Sequence, residues 1–267
     1  MNCPICHEPL TLEGKSYQCK NKHTFDRAKS GYVNLSRKQK ASGDNKLMVQ
    51  ARSEFLESGY YAFLKDELQK LMAKHQPKCY LDLGCGQGYY TKDLSQYAKS
   101  AYGIDLSVPA ITHASKIDKH TQYIVGSIYD LPFEGQEMDL LTSIFTPIPT
   151  KEAARVLKPT GYLVTVTPGK MHHVELKEQL YENVRYNPPL KPLEGFELVE
   201  QQEISQVHHV QDVMALLKMT PYFYKTPKEA IEKLQANQQG LAITFHFMIS
   251  TWRKIDENKN KKMGDQW

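Results

Sequence analysis

Leu81-Asp82-Leu83-Gly84-Cys85-Gly86-Gln87-Gly88 is the stretch that decides the fold of this 267-residue chain. The run from Lys78 to Leu83 reads as a buried strand. The three glycines let the backbone turn sharply and approach a ligand with no Cβ in the way. About twenty residues on, a second strand, Ala101-Tyr102-Gly103-Ile104-Asp105, ends in an acid, where a nucleotide-binding βαβ unit presents a carboxylate to a ribose diol. Two ligands compete for such a loop. A dinucleotide rests its pyrophosphate on a helix N-terminus and asks for Gly-x-Gly-x-x-Gly, whereas the spacing here is Gly-x-Gly-x-Gly. Asp82, just ahead of the loop, would repel a pyrophosphate but suits a ligand carrying an ammonium group.

That choice favours S-adenosylmethionine, and the loop resembles the first motif of class I methyltransferases, with Asp105 matching the acid that holds the ribose hydroxyls. Downstream, Gly126-Ser127-Ile128-Tyr129-Asp130-Leu131-Pro132-Phe133 and Met138-Asp139-Leu140-Leu141 resemble the third and fourth motifs, in the right order. Arg155-Val156-Leu157-Lys158-Pro159-Thr160-Gly161 is similar to the turn before the fifth strand, with Thr160 in place of the usual glycine. The fold implied is α/β: a class I S-adenosylmethionine-dependent methyltransferase, Rossmann-like, with a mixed seven-stranded sheet.

An independent signal lies at the front. Cys3 and Cys6 are separated by two residues, and Cys19 and His23 by three. Two short loops that each deliver a pair of ligands build a closed tetrahedral zinc site, and a closed set with no open position predicts one structural Zn2+ held by Cys3, Cys6, Cys19 and His23. A segment of thirty-odd residues cannot fold on apolar burial alone, so the metal supplies the missing free energy. Cys79 and Cys85 have no partner at ligand spacing.

The formal charge of +4 is unevenly spread. Between Lys15 and Arg52 stand ten basic residues (Lys15, Lys20, Lys22, Arg27, Lys29, Arg37, Lys38, Lys40, Lys46, Arg52) against two acids, Asp26 and Asp44. That excess, interleaved with Tyr17, His23, Phe25 and Tyr32, predicts a surface for a phosphate backbone with rings available to stack bases. No apolar run reaches the roughly twenty residues that span a bilayer, and the opening Met1-Asn2-Cys3-Pro4 begins no signal peptide, so the protein is expected in the cytoplasm and off the membrane.

The chain divides as 1–36, a zinc-binding module for RNA recognition; 37–74, a basic linker and helices; 75–256, the methyltransferase domain; and 257–267, a basic tail. Residues 36–46 read as a mobile connection. Leu47, Phe55, Leu56, Leu64, Leu68, Leu71 and Met72 recur at helical spacing, with Ser58-Gly59 breaking them into two helices. His172, His173 and Glu175 open a helix that runs to about Tyr186. Phe196 to Ile204 predicts a strand, Val210 to Leu217 a helix, and Ala242 to Trp252 a last strand.

The whole chain resembles the ribosomal RNA large-subunit methyltransferase A family. The likeness rests on the zinc quartet, on Phe25-Asp26-x-Ala28-Lys29-x-Gly31-Tyr32-Val33-Asn34-Leu35, on Gly84-Cys85-Gly86-x-Gly88-Tyr89-Tyr90-Thr91 and on Met219-Thr220-Pro221. The resemblance implies methyl transfer from S-adenosylmethionine to N1 of a guanine in helix 35 of 23S rRNA, by a homodimer. It also implies cofactor contacts at Tyr61, Tyr90, Thr91 and His172, beside Asp82, Gly84, Gly86, Gly88 and Asp105. The loop Phe145-Thr146-Pro147-Ile148-Pro149 lacks the Asn/Asp-Pro-Pro-aromatic clamp of amino-methylating enzymes. Guanine N1 carries a proton at neutral pH, so an acceptor is needed. His172 and Glu175 are candidates, and no spacing rule picks a catalytic residue. Two other readings stand beside this one: a small-molecule methyltransferase with a zinc-stabilised lid, and a non-catalytic RNA-binding protein.

Overall fold

The computed structural model describes residues 1–37, 46–220, 222–223, 226–237 and 239–255. The front module holds three short antiparallel strands, β1 (Thr11–Glu13), β2 (Ser16–Gln18) and β3 (Thr24–Asp26), followed by a two-residue strand, β4 (Val33–Asn34). Two helices follow, α1 (Lys46–Glu57) and α2 (Ala62–His75), separated at Gly59, whose φ of +90° breaks the run where the sequence predicts it. Most of the expected connection at 36–46, and the tail at 257–267, lie outside the described residues.

The body alternates β5 (Cys79–Leu83), α3 (Thr91–Leu94), β6 (Ser100–Asp105), α4 (Val108–Ile117), β7 (Gln122–Val125), β8 (Met138–Ile144), α5 (Thr150–Val156) and β9 (Leu157–Pro168). These strands pair in parallel. Then come α6 (Val174–Leu180), β10 (Phe196–Val210), α7 (Val213–Met219), α8 (Lys228–Ala236) and β11 (Leu241–Lys254). The long antiparallel hairpin β10–β11 joins the sheet through β9.

The strand order is β10-β11-β9-β8-β5-β6-β7-β4, eight strands rather than the expected seven. The eighth is β4 of the front module, paired in parallel with β7 through Val33↔Ile124 and Asn34↔Val125. Central strands are apolar on both faces because helices cover both. Tyr80 belongs to one buried cluster with Leu64, Leu68, Phe245 and Phe247, while Leu81 and Leu83 belong to another with Ile124, Leu163, Trp252 and the module's own Val33 and Tyr17. The period-2 alternation of β5 therefore feeds two cores from one strand.

Three element boundaries differ from the sequence reading. The helix expected over 172–186 is only Val174–Leu180. The strand from Phe196 continues to Val210, carried by backbone pairing with β11, although most of its side chains are exposed and give no alternation. The following helix starts later, at Val213, where the Asp212 carboxylate accepts the Ala215 N–H and caps it.

Candidate functional site

The carboxyl ends of β5, β6, β8 and β9 open into a cavity of about 700 Å3, as the doubly wound topology requires. Tyr61, Asp82, Gly84, Gly86, Tyr90, Asp105 and His172 line it. Gly88 and Thr91, also expected to touch the ligand, stand behind it. A Cβ on Gly88 would lie 2.9 Å from the Ala114 Cβ of α4, so this glycine serves helix packing. The Thr91 hydroxyl donates to Asp82 Oδ2 at 2.6 Å.

Asp82 is fully enclosed. Its other oxygen accepts from the Thr142 hydroxyl at 2.6 Å, and Thr142 in turn accepts from Tyr80 at 2.7 Å. Burial pushes the Asp82 pKa up to about 6, against the pull of these two hydroxyl donors, with Asp105 adding to the rise. A cationic group of a ligand relieves this cost. Thr142 escaped the sequence reading, and its only signal is its place opposite Asp82 in the register of β8 on β5.

Asp105 ends β6 with both oxygens oriented by backbone donors, Gly86 N–H at 3.1 Å and Ser107 N–H at 2.8 Å. The glycine turn and the ribose-type acid thus hold one another. Gly84, at φ +70°, has no room for a side chain, because a Cβ there would sit 2.4 Å from the Thr146 side chain. Two wall atoms, Gln87 Nε2 and Tyr90 Oη, are buried with no hydrogen-bond partner among the described residues. Orphaned polar atoms of this kind are expected where a polar ligand completes the site. Cavity size, the acid pair and these orphans fit S-adenosylmethionine.

His172 and His173 stack at 3.6 Å between ring centroids. Burial, then His173, Lys177 and His246, holds the His172 pKa well below its usual value, and burial, then Lys177, takes His173 down to about 3. Both rings are neutral at neutral pH. The His172 Nδ1 accepts the His246 N–H at 3.2 Å, so its proton sits on Nε2 and the ring is a donor there. Glu175 does not line the cavity, and its carboxylate accepts both the backbone N–H and the hydroxyl of Thr244 on β11. Tyr61 places its hydroxyl 3.4 Å from His173 Nε2.

In the front module the donor atoms of Cys3, Cys6, Cys19 and His23 all lie within 4.8 Å of one another. Cys6 and Cys19 sulfurs are 3.7 Å apart, and His23 Nδ1 is 3.5 Å from both Cys3 and Cys19. Zinc–sulfur bonds of about 2.3 Å and a zinc–nitrogen bond of about 2.0 Å give tetrahedral edges of about 3.8 and 3.5 Å, so the four donors fit zinc.

The module is bonded to the cofactor side of the sheet. Besides the β4–β7 pairing, Leu35 N–H donates to Val125 O, Asn2 N–H to Pro132 O, and the Tyr17 hydroxyl to Gln122. Val125 is followed directly by Gly126, a wall residue of the cavity. The expectation that the module's aromatics are free to stack bases fails for Tyr17, which is buried, while Phe25 and Tyr32 are partly buried. Tyr17 and Phe25 pack against the cluster around Leu81, Tyr32 packs against Ile111 and Tyr123, and His23 belongs to the metal set. Lys38, Lys40 and Asp44 lie outside the described residues.

Residues 1–42 match the zinc-ribbon family model described as RlmA, N-terminal, and residues 81–165 match a methyltransferase domain. The 23S rRNA (guanine(748)-N(1))-methyltransferase of Streptomyces fradiae is 34% identical over 188 residues, 67% of each chain. A Bacillus subtilis protein provisionally named 23S rRNA (guanine-N(1)-)-methyltransferase YxjB is 31% identical over 257 residues, covering 87% of this chain and 90% of its own. Among solved structures, a protein of Bacillus halodurans C-125, provisionally named a methyltransferase, superposes with a TM-score of 0.50 at 19% identity. It covers 72% of this chain and all of its own, and it shows the fold alone. The adenosine-type pocket, the zinc quartet and these relatives agree: the chain belongs to the RlmA family of 23S rRNA (guanine-N1)-methyltransferases.

Proposed function

We propose that this protein transfers a methyl group from S-adenosylmethionine to N1 of a guanine in the helix 35 hairpin of 23S rRNA, as a homodimer in the cytoplasm. Among the described residues, no helix is long and apolar enough to cross a membrane. The observation that carries the reading is the hydrogen-bonded junction between β4 and β7, which puts a metal-built module beside the cofactor wall. The names of the Streptomyces and Bacillus relatives support the substrate.

In this reading Asp82 faces the cofactor's ammonium, Asp105 accepts from the ribose hydroxyls, and the Gly84–Gly86 turn gives close backbone approach. Tyr61, Tyr90 and the Nε2–H of His172 complete the polar wall, and Gly88 and Thr91 hold that wall from behind. Cys3, Cys6, Cys19 and His23 hold one structural zinc that folds residues 1–36. Residues 75–256 form the catalytic body. When bound, S-adenosylmethionine supplies a methyl on a positively charged sulfur, already activated for displacement. Guanine N1 would accept that methyl and give up its proton to solvent water. Neither Glu175, tied to Thr244, nor the Nδ1 of His172, tied to His246, is placed to receive it. Much of the rate then comes from holding base and methyl together.

The test is transfer of labelled methyl to 23S rRNA lacking the modification, with the site mapped by its block to reverse transcription. A stop at one guanine of helix 35 is expected. Cofactor binding without labelling of naked rRNA, assembled subunits or other RNA would overturn the reading in favour of a small-molecule enzyme.

A further inference from the structure

Phe145, the first residue after β8, carries a feature that packing alone does not explain. It adopts φ +56°, a left-handed backbone that a bulky aromatic rarely enters. Its surroundings hold it there. Its N–H donates to Val166 O at 3.0 Å, the Ser143 hydroxyl reaches Thr146 O at 3.2 Å, and the Thr146 hydroxyl lies 3.4 Å from Gly84 O. The Thr146 side chain fills the space that Gly84 leaves by lacking a Cβ. The strained residue is therefore clamped to the cofactor turn itself, and strain that persists under such clamping collects at functional sites.

The ring is placed to use this. It stands in the cavity wall, edge-on to Tyr61 at 6.2 Å and tilted on Phe247 at 5.4 Å, yet it remains 41% exposed. A wall aromatic braced by two rings and still open is the form of a stacking platform. Enzymes that modify a base draw it out of its helix and hold it against such rings. In the module, by contrast, Tyr17 is buried and Phe25 and Tyr32 are partly buried against the catalytic body.

We infer that Phe145 is the residue on which the extracted guanine stacks, orienting its N1 edge towards the methyl donor. This rests on the rRNA reading above. It names a positioning role that any planar ring performs and an aliphatic side chain of similar bulk does not.

The experiment compares Phe145→Ala, Phe145→Leu, Phe145→Tyr and Phe145→Trp in the full zinc-loaded chain, measuring S-adenosylmethionine Kd, kcat and KM for 23S rRNA, and the melting temperature. The Ala and Leu variants are expected to keep cofactor Kd within about twofold and to lose roughly 5- to 150-fold in kcat/KM for RNA, the range that one base–aromatic stack is worth. Tyr and Trp are expected within about threefold of the parent. Should Phe145→Ala fail to fold, the Leu variant against Trp decides alone. A Leu variant as active as the parent overturns the inference, as does a cofactor Kd that weakens in step with RNA turnover. Absence of RNA labelling by the unaltered protein overturns the rRNA reading and this inference together, whereas a defect confined to the variants separates the two.

Discussion

Replacing Asp82 by Asn should remove a loss of stability that the ligand-free parent suffers as pH rises, and the size of that pH dependence follows from the burial of the carboxyl. The carboxyl is fully buried, and its pKa rises from an ordinary 3.8 to about 6. The folded state therefore holds this proton more tightly than the unfolded chain does. Stability from this group is complete below about pH 4 and declines through the window between pH 4 and 6. The loss above it is on the order of 3 kcal/mol, at 1.36 kcal/mol per pH unit. Asn has no such dependence. Between pH 8 and pH 5 the parent should gain about 1.4 kcal/mol on the variant from this group alone. Titration of the buried His172 and His173 is common to both proteins and cancels in the difference. Urea unfolding of both proteins at pH 5, 6, 7 and 8 reads this directly. A parent-minus-variant difference that stays flat to within about 0.3 kcal/mol across that range would refute the assignment of Asp82 as a strained, desolvated charge. The same variant should bind S-adenosylmethionine at least tenfold more weakly at pH 8, because the ammonium loses its partner, about 1.4 kcal/mol or more.

Three shorter predictions accompany this one. Metal analysis should find about one zinc per chain; Cys3→Ser or chelation should release it, lower the melting temperature and weaken cofactor binding severalfold through β4 and Gly126, and an unchanged cofactor Kd in metal-free protein would break that link. Tyr90→Phe removes a buried hydroxyl with no hydrogen-bond partner among the described residues, so folding stability should hold while calorimetry shows cofactor affinity falling about 2- to 10-fold; equal affinity would mean the hydroxyl does not meet the ligand. Gly84→Ala forces a Cβ against Thr146 at a positive φ, and should cost more than tenfold in cofactor affinity, about 1.4 kcal/mol, with a lower melting temperature; equilibrium dialysis showing parental binding would dismiss the clamp between turn and loop.

What the sequence made legible was whatever is written in contiguous residues. The glycine turn, the acids ending two strands and the Cys/His spacing are local, and the structure brings Asp82, Asp105 and the four metal donors into the predicted groupings. What it hid depends on partners far along the chain. Val33-Asn34 is too short to show periodicity and becomes a strand only because β7 offers an edge. Glu175 reads as an available base until Thr244, sixty-nine residues away, occupies it. Tyr17 and Phe25 read as free rings because nothing in their neighbourhood announces that the catalytic body will cover them.

The two-residue strand has one more consequence. Because Val33 and Asn34 are laced into the catalytic sheet, the span from the metal to the cofactor wall is set by hydrogen bonds, not by a tether. In the proposed function, a ribbon that grips RNA would work as a ruler, holding the nucleotide that reaches the methyl at a set distance from that grip.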